Sequence, residues 1–353
     1  GKNGVGYFEP LHIPELTGDG DVDATLKAQS INYGESMIKI MVAGLDKNMT
    51  IYEEAVVISA IAKVYSDLGV TEDKNTWRLS DGASLEKVYN EVCRVVDSGE
   101  YIDEVTDNVK HKAAVNVKET MSVYFAPTGS KYGMFSKPLD WDSLKDSRLI
   151  IFSFGQSGDM AMYDNPTELA LKQLSVACVS IKVSNYCKYV KHGFNVKVWE
   201  EVQRWGEIRG SEELLKNTMT GGRKRGDVNF IITNNLASIL DDSAFAKMLR
   251  ENFQNHLIGR IKDSDVRKNY CRLNGREKLL PVMNRIARAY RSKRDADGNK
   301  LGASDKYEFS FCLSLESGEN AVVKQPMNPT IAASGIFSTG VKIDNTENII
   351  KEE

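Results

Sequence analysis

FNVKVWEEVQRW, residues 194–205, and TGGRKRGDVNFIITNN, residues 220–235, decide how this chain is read. Each contains a short apolar-rich run, Phe194–Trp199 and Val228–Thr233, with a glycine shortly before it. Both runs read as β-strands, and Ser211–Thr220 between them reads as a helix. In an open α/β sheet, ligands bind beyond the carboxyl ends of the strands. The first strand runs directly into Glu200-Glu201. One carboxylate there can hold a hydrated Mg²⁺ while its neighbour orients or deprotonates a water. The plain alternative is an acidic helix N-terminus, which on these residues alone is the commoner case. Gly221-Gly222-Arg223-Lys224-Arg225-Gly226 places three cations between glycines, the make-up of a mobile, phosphate-seeking loop. A solvated basic turn is its structural alternative. The second strand ends at Thr233-Asn234-Asn235, where an amide could sense a γ-phosphate or simply cap a helix.

Outward from these runs, residues 131–353 alternate strands with helices. Arg148–Phe154 (RLIIFSF) reads as a buried strand, and Asn165-Pro166-Thr167-Glu168 as a helix start with proline in first position. His256–Ile261 reads as a strand, and Leu279, Leu280, Met283, Ile286, Ala287 and Tyr290 as one face of a helix. Tyr307–Leu313 and Asn320–Val323 form a closing hairpin around Ser317-Gly318. The pattern predicts an α/β fold with a largely parallel sheet flanked by helices. Residues 30–130 differ. Met37, Ile38, Met41, Val42 and Leu45 share a helical face. Thr50-x-x-Glu53 is a capping box opening the run Ile51 to Leu68. Leu85, Val88, Val92 and Val96 mark a third helix, and Val105, Val109, Ala113 and Val117 a fourth, so this block reads as all-helical. Residues 1–29 read as an irregular entry with one strand near Tyr7–Ile13 and a polar turn at Gly18–Asp23.

The composition sets limits. The 353 residues are 41% hydrophobic and 27% charged, which supplies a normal core and excludes disordered or collagen-like classes. Net charge is −3, so no global basic field points to nucleic acid. The five cysteines form no C-x-x-C, and the four histidines are scattered, which argues for a reducing compartment and against disulfide or zinc frameworks. The longest uncharged run, 325–341, holds two prolines and does not read as a spanning helix. A basic cluster, Arg288, Arg291, Lys293 and Arg294, suits a helix C-terminus, with DNA or anionic lipid as the lesser alternative.

The order of the motifs resembles the conjugative-transfer ATPases of type IV secretion systems, the TraC/TraE-like branch of the RecA/HerA-type P-loop ATPases. The matching runs are Val198 to Trp205, Gly222-Arg223-Lys224-Arg225-Gly226 and Ile231-Ile232-Thr233-Asn234, with Gly133 to Phe154 upstream and Leu249 to Ile261 downstream. The resemblance implies a RecA-like sheet with an inserted all-α subdomain: 1–29 the entry of the ATPase lobe, 30–130 the insertion, 131–353 the lobe. It implies ATP and Mg²⁺ as cofactors. Glu200 would hold Mg²⁺ through water, Glu201 would activate the attacking water, and Asn234 would sense the γ-phosphate. Arg223, with Lys224 or Arg225, would reach a phosphate in cis or from a neighbouring subunit. Implied partners are other secretion components at the cytoplasmic face of the inner membrane, in a homo-oligomer that is a hexamer by resemblance, without an integral membrane segment.

Three departures stand against the family pattern. Glu200 stands where Asp is usual, and Asn234 where Gln is usual. No G-x-x-x-x-G-K-[ST] occurs in the sequence, so the phosphate cradle, its lysine and the Mg²⁺-holding hydroxyl are missing. Gly1-Lys2-Asn3-Gly4-Val5-Gly6 copies the glycine spacing but leads into Tyr7-Phe8 and Pro10, not a helix. The expectation is a chain that begins after its P-loop and turns over little ATP alone. The alternatives are a non-catalytic docking module that keeps the ATPase fold, and a DNA translocase of the same superfamily in direct contact with DNA.

Overall fold

The computed structural model describes residues 7–102, 108–135, 140–151, 166–200, 202, 212–233, 236, 240–289 and 308–326. The chain packs as two compact units, 1–234 and 235–353. The boundaries expected at 29/30 and 130/131 both fall inside the first unit.

The first unit opens with four long helices: α1 (Gly20–Ala43), α2 (Ile51–Asp67), α3 (Leu85–Ser98) and α4 (Val109–Phe125). A 3₁₀ stretch, Lys74–Gly82, joins α2 to α3. The helical block therefore starts ten residues before the expected position. Gly18–Asp23 is not a free turn, because the Asp19 side chain accepts from the N–H groups of Asp21 and Val22 and starts α1. The Thr50–Glu53 capping box is present on α2, and Gly99 closes α3 at φ 67°.

The expected strand at Tyr7–Ile13 is not formed; Tyr7 alone makes a β-bridge. The segment is nevertheless fully buried, with Phe8, Leu11 and Ile13 at 1% exposure or less. A buried backbone needs partners, and here they are side chains from four directions. Phe8 N–H donates to Ser175 Oγ (2.9 Å) and Ile13 N–H to Ser80 Oγ (2.8 Å). Tyr65 Oη donates to the Leu11 carbonyl at 2.7 Å. Lys182 Nζ donates to the carbonyls of Pro10 (2.9 Å) and His12, and Ser30 Oγ also reaches the His12 carbonyl. The segment thus ties α1, α2 and the 3₁₀ stretch to the helix that carries Ser175 and Lys182.

That helix is α6 (Pro166–Asn185), reached after the short α5 (Trp141–Lys145). Pro166 is its first residue, as the sequence predicts. A π turn, Tyr186–Val190, leads from it to β1 (Asn195–Trp199). Then come α7 (Glu212–Thr220), the single turn α8 (Gly222–Arg225) and β2 (Asp227–Ile231). β1 and β2 pair in parallel from Asn195↔Asp227 to Trp199↔Ile231. The alternation puts Val196, Val198, Val228 and Phe230 on one face, each 46% exposed or more, while Lys197 and Trp199 on the other face are buried. The expected strand Arg148–Phe154 is not seen at 148–151, where Leu149 and Ile151 are exposed; residues 152–154 lie outside the described set.

The second unit holds α9 (Ala244–Asn252), β3 (His256–Ile258), α10 (Ser264–Leu273), α11 (Leu280–Ala289), β4 (Glu308–Ser314) and β5 (Asn320–Pro326). β3, β4 and β5 form an antiparallel sheet in that order. The expected hairpin is present and turns at Gly318 with φ 86°. Ile258, Tyr270, Cys271, Leu279, Met283, Ile286 and Cys312 belong to the core of this unit. β3 stops three residues short of the expected Ile261, with His256, Leu257 and Ile258 paired to Ser314, Leu313 and Cys312 of β4. Residues 291–294 of the basic cluster are outside the described set, as is the Arg288 side chain.

Candidate functional site

The parallel register decides which residues meet. Trp199 lies beside Ile231, so both strands end at the same edge. The ladder continues past them: Ile232 N–H donates to the Trp199 carbonyl at 2.9 Å, and Val202 N–H to the Ile232 carbonyl at 3.2 Å. In this register Glu200 lies opposite Ile232 and Thr233 comes one step further on, both at the carboxyl edge of the pair, where open α/β sheets bind ligands. Glu200 is exposed, and Val202 behind it is fully buried and anchors the turn. Glu201 and Asn234 lie outside the described residues.

The cationic turn sits at the other end. Asp227 begins β2 opposite Asn195, the first residue of β1, so α8 precedes the amino edge of the pair. Five strand steps of about 3.3 Å separate that edge from Glu200, roughly 16 Å along the sheet. The structure does not bring Lys224 or Arg225 to Glu200 within one chain.

Nor is the turn the mobile loop expected from its glycines. A Cβ on Gly222 would lie 2.3 Å from Asn229 Nδ2, and one on Gly221 2.6 Å from the Asn217 carbonyl. The glycines permit close packing of α7, α8 and β2. Arg225 is used internally: Nη2 donates to the carbonyls of Asn217 (2.8 Å) and Thr218 (2.9 Å) at the end of α7, and Nε lies 3.4 Å from Asp227. Arg225, expected as one of two alternatives beside Arg223 for reaching a phosphate, is here bonded to the end of α7. Lys224 is exposed, and its carbonyl accepts from Lys188 Nζ. The Arg223 side chain is outside the described set.

Beneath the turn is an ion pair that the sequence reading missed. Lys197 Nζ meets Asp227 Oδ2 at 2.9 Å, with the two side chains 7% and 0% exposed. Burial pushes the Lys197 ammonium down to about 8, against the opposing pull of Asp227. Trp199 Nε1 donates to Asn229 Oδ1 at 3.0 Å, and Asn229 Nδ2 donates to the Met219 carbonyl at 3.2 Å. The available signal was the alternation itself, Asn195, Lys197 and Trp199 against Val196 and Val198. Sequence alone does not say which of these faces is covered.

Among solved structures, VirB4 of Thermoanaerobacter pseudethanolicus aligns with a TM-score of 0.54 at 13% identity, over 93% of this chain and 77% of that one. The chain has the VirB4 fold. This is the RecA-like α/β architecture implied by the motif order. The plasmid coupling protein TrwB, solved with the non-hydrolysable GTP analogue GDPNP, aligns at a TM-score of 0.37 and 12% identity, over 84% of this chain and 69% of TrwB. No protein-family model matches the sequence, and no curated protein matches it.

Within this VirB4-like fold, the described residues contain no group of three or more acidic, histidine or cysteine side chains able to hold a metal. The phosphate cradle of a P-loop has no counterpart in the sequence. No described helix is long and apolar enough to cross a membrane.

Proposed function

We propose that this chain is part of the ATPase lobe of a type IV secretion or conjugation motor. The observation that supports the reading is the parallel pairing of β1 and β2, which ends both strands at one carboxyl edge, with Glu200 directly after Trp199 and Thr233 two residues after Ile231. In this reading Glu200 orders the water shell of Mg²⁺, Glu201 orients the attacking water, and Asn234 senses the γ-phosphate of ATP. The cationic turn lies at the opposite edge, which favours action of Arg223 or Lys224 on a nucleotide held by a neighbouring subunit. That arrangement calls for a homo-oligomer, a hexamer by analogy, working with other secretion components at the cytoplasmic face of the membrane. DNA is the transported or contacted polymer in the conjugative version of this role.

The test is ATP hydrolysis by the protein, with whatever sequence flanks this chain in nature, across a Mg²⁺ series. Glu201→Gln keeps size and polarity but removes the base, so turnover falls by roughly 10²-fold or more while nucleotide binding survives. Glu200→Gln shifts the Mg²⁺ dependence instead. Unchanged rates in both variants refute the assignment. They would favour the second reading, a non-catalytic docking module, which rests on the absent G-x-x-x-x-G-K-[ST] and the internal use of Arg225.

A further inference from the structure

The face of β1 and β2 opposite Lys197 and Trp199 is open. Phe194, Val196, Val198, Val228, Phe230 and Ile232 follow the alternation onto it, each 46% exposed or more. Parallel strands are normally covered on both faces, and a contiguous exposed apolar patch marks a binding surface. Two of the six side chains are phenyl rings, Phe194 at 72% and Phe230 at 54% exposure. Phe230 pairs with Val198, so the two rings stand four strand steps apart, about 13 Å along the sheet. None of the six side chains carries a hydrogen-bond donor or acceptor.

The amino edge of the same pair is cationic. The net charge of the chain is −3, yet no Asp or Glu occurs from 169 to 199 or from 214 to 226. The fold brings these two acid-free runs together. Lys188 Nζ donates to the Lys224 carbonyl, and Asn195 N–H donates to the Gly226 carbonyl at 3.4 Å. Lys191, His192 and Lys224 are exposed at this edge. Tyr189 lies among them, with Lys188 Nζ 4.4 Å from its ring centre. Asp227, the first carboxylate after the second run, is enclosed and held by Lys197 and Arg225. Asp146 lies 3.0 Å from Lys191, but that pair is exposed on both sides and therefore weak.

We propose that this face binds a single-stranded nucleic acid. Bases stack on Phe194 and Phe230, and phosphates meet Lys188, Lys191 and Lys224 at the amino edge. The complementarity is double: flat apolar rings meet flat bases, and an edge rich in cations meets a polyanion. A duplex keeps the faces of its bases stacked on one another and out of reach of the rings. An acidic polypeptide satisfies the cations but offers the phenyl rings no flat partners. With no polar side chain on the face to read a base edge or a 2′-OH, binding is tolerant of sequence and of sugar. Lys224 aside, none of these residues has a part in the proposed ATPase chemistry, so the surface stands apart from that reading.

The test titrates the chain into fluorescein-labelled oligothymidylate of about 20 nucleotides and follows anisotropy across a salt series. Saturable binding that weakens with salt is expected. An abasic strand of equal length keeps the phosphates but lacks the bases, and should bind about tenfold more weakly or worse. The same holds for a blunt duplex and for capped polyglutamate. Phe194→Ala with Phe230→Ala should weaken oligothymidylate about tenfold or more without changing the salt slope. Lys191→Gln with Lys224→Gln should lower that slope by about 1.4, at about 0.7 per phosphate contact. Lys63→Gln with Lys87→Gln removes equal charge from exposed positions on α2 and α3 and should leave the slope unchanged. Circular dichroism confirms the fold of each variant. Equal affinity for the abasic strand, or full affinity in the phenylalanine double variant, would overturn the proposal in favour of a plain basic edge. Polyglutamate binding as tightly as oligothymidylate would overturn it in favour of an acidic protein partner. Equal slope losses in the two lysine variants, or no saturable binding, would also overturn it.

Discussion

Asp227→Asn removes one half of the ion pair beneath the cationic turn. The Asp227 side chain is fully enclosed and Lys197 nearly so. Removing one partner of a buried pair strands the other charge, at a cost of about 3–5 kcal/mol. Even with its partner in place the Lys197 charge is disfavoured, because the ammonium sits at about 8 against 10.5 in an ordinary setting. That difference corresponds to about 3 kcal/mol between the two protonation states. The sign follows from proton counts. Between about pH 8 and 10.5 the unfolded chain binds more protons at this lysine than the folded chain, so its contribution makes stability rise with pH. Without Asp227 the ammonium drops further, and the rise begins at lower pH. Urea unfolding followed by tryptophan fluorescence in neutral and in alkaline buffer reads both effects, with Trp199 two residues from Lys197 as a local reporter. Lys197→Met combined with Asp227→Asn should recover much of the loss, since an apolar replacement leaves no stranded charge. A loss under about 1 kcal/mol, the worth of an exposed pair, with an unchanged pH slope would refute the claim that this pair is dry.

Two further outcomes follow from the first unit. Glu9 is buried, accepts from Tyr7 Oη and Leu85 N–H, and is raised to about 7, chiefly by burial. The folded chain then holds this proton more tightly than the unfolded one, so stability falls by about 3 kcal/mol as pH rises from 4.5 through 7; Glu9→Gln should flatten that slope in a urea series. Thr50→Ala removes one arm of the capping box and should cost about 1 kcal/mol by thermal or urea unfolding, with α2 fraying at Ile51–Glu54 in hydrogen exchange.

The helices and the hairpin were legible because their signals are local. Thr50–Glu53, Pro166 and Ser317-Gly318 each satisfy or restrict the backbone within a few residues. The polar run before α1 was misread for the opposite reason: Gly18, Asp19 and Gly20 fit a turn or a cap equally well until the following turn of helix forms. The segment Tyr7–Ile13 was misread as a strand because its apolar residues are in fact buried. Its backbone partners are side chains of Ser175, Lys182, Tyr65 and Ser80, up to 172 residues away. No periodicity encodes such partners.

The candidate site divides along the same line. The motif order was sufficient to point to the fold, since strand, acidic pair, helix, cationic turn and strand follow one another without a long connection. Distance along the chain could not show that the cationic turn and Glu200 lie at opposite edges, because parallel pairing sends successive strand ends the same way and leaves each strand start at the far edge. Composition could place three cations between glycines, but only packing could commit Arg225 to the end of α7. The sequence by itself determined most of the secondary structure and the order of its chemistry, through interactions that span one or two turns. Tertiary structure decided which charges are buried, which face of β1 is covered and which groups meet, because those depend on contacts between residues that the chain does not hold together.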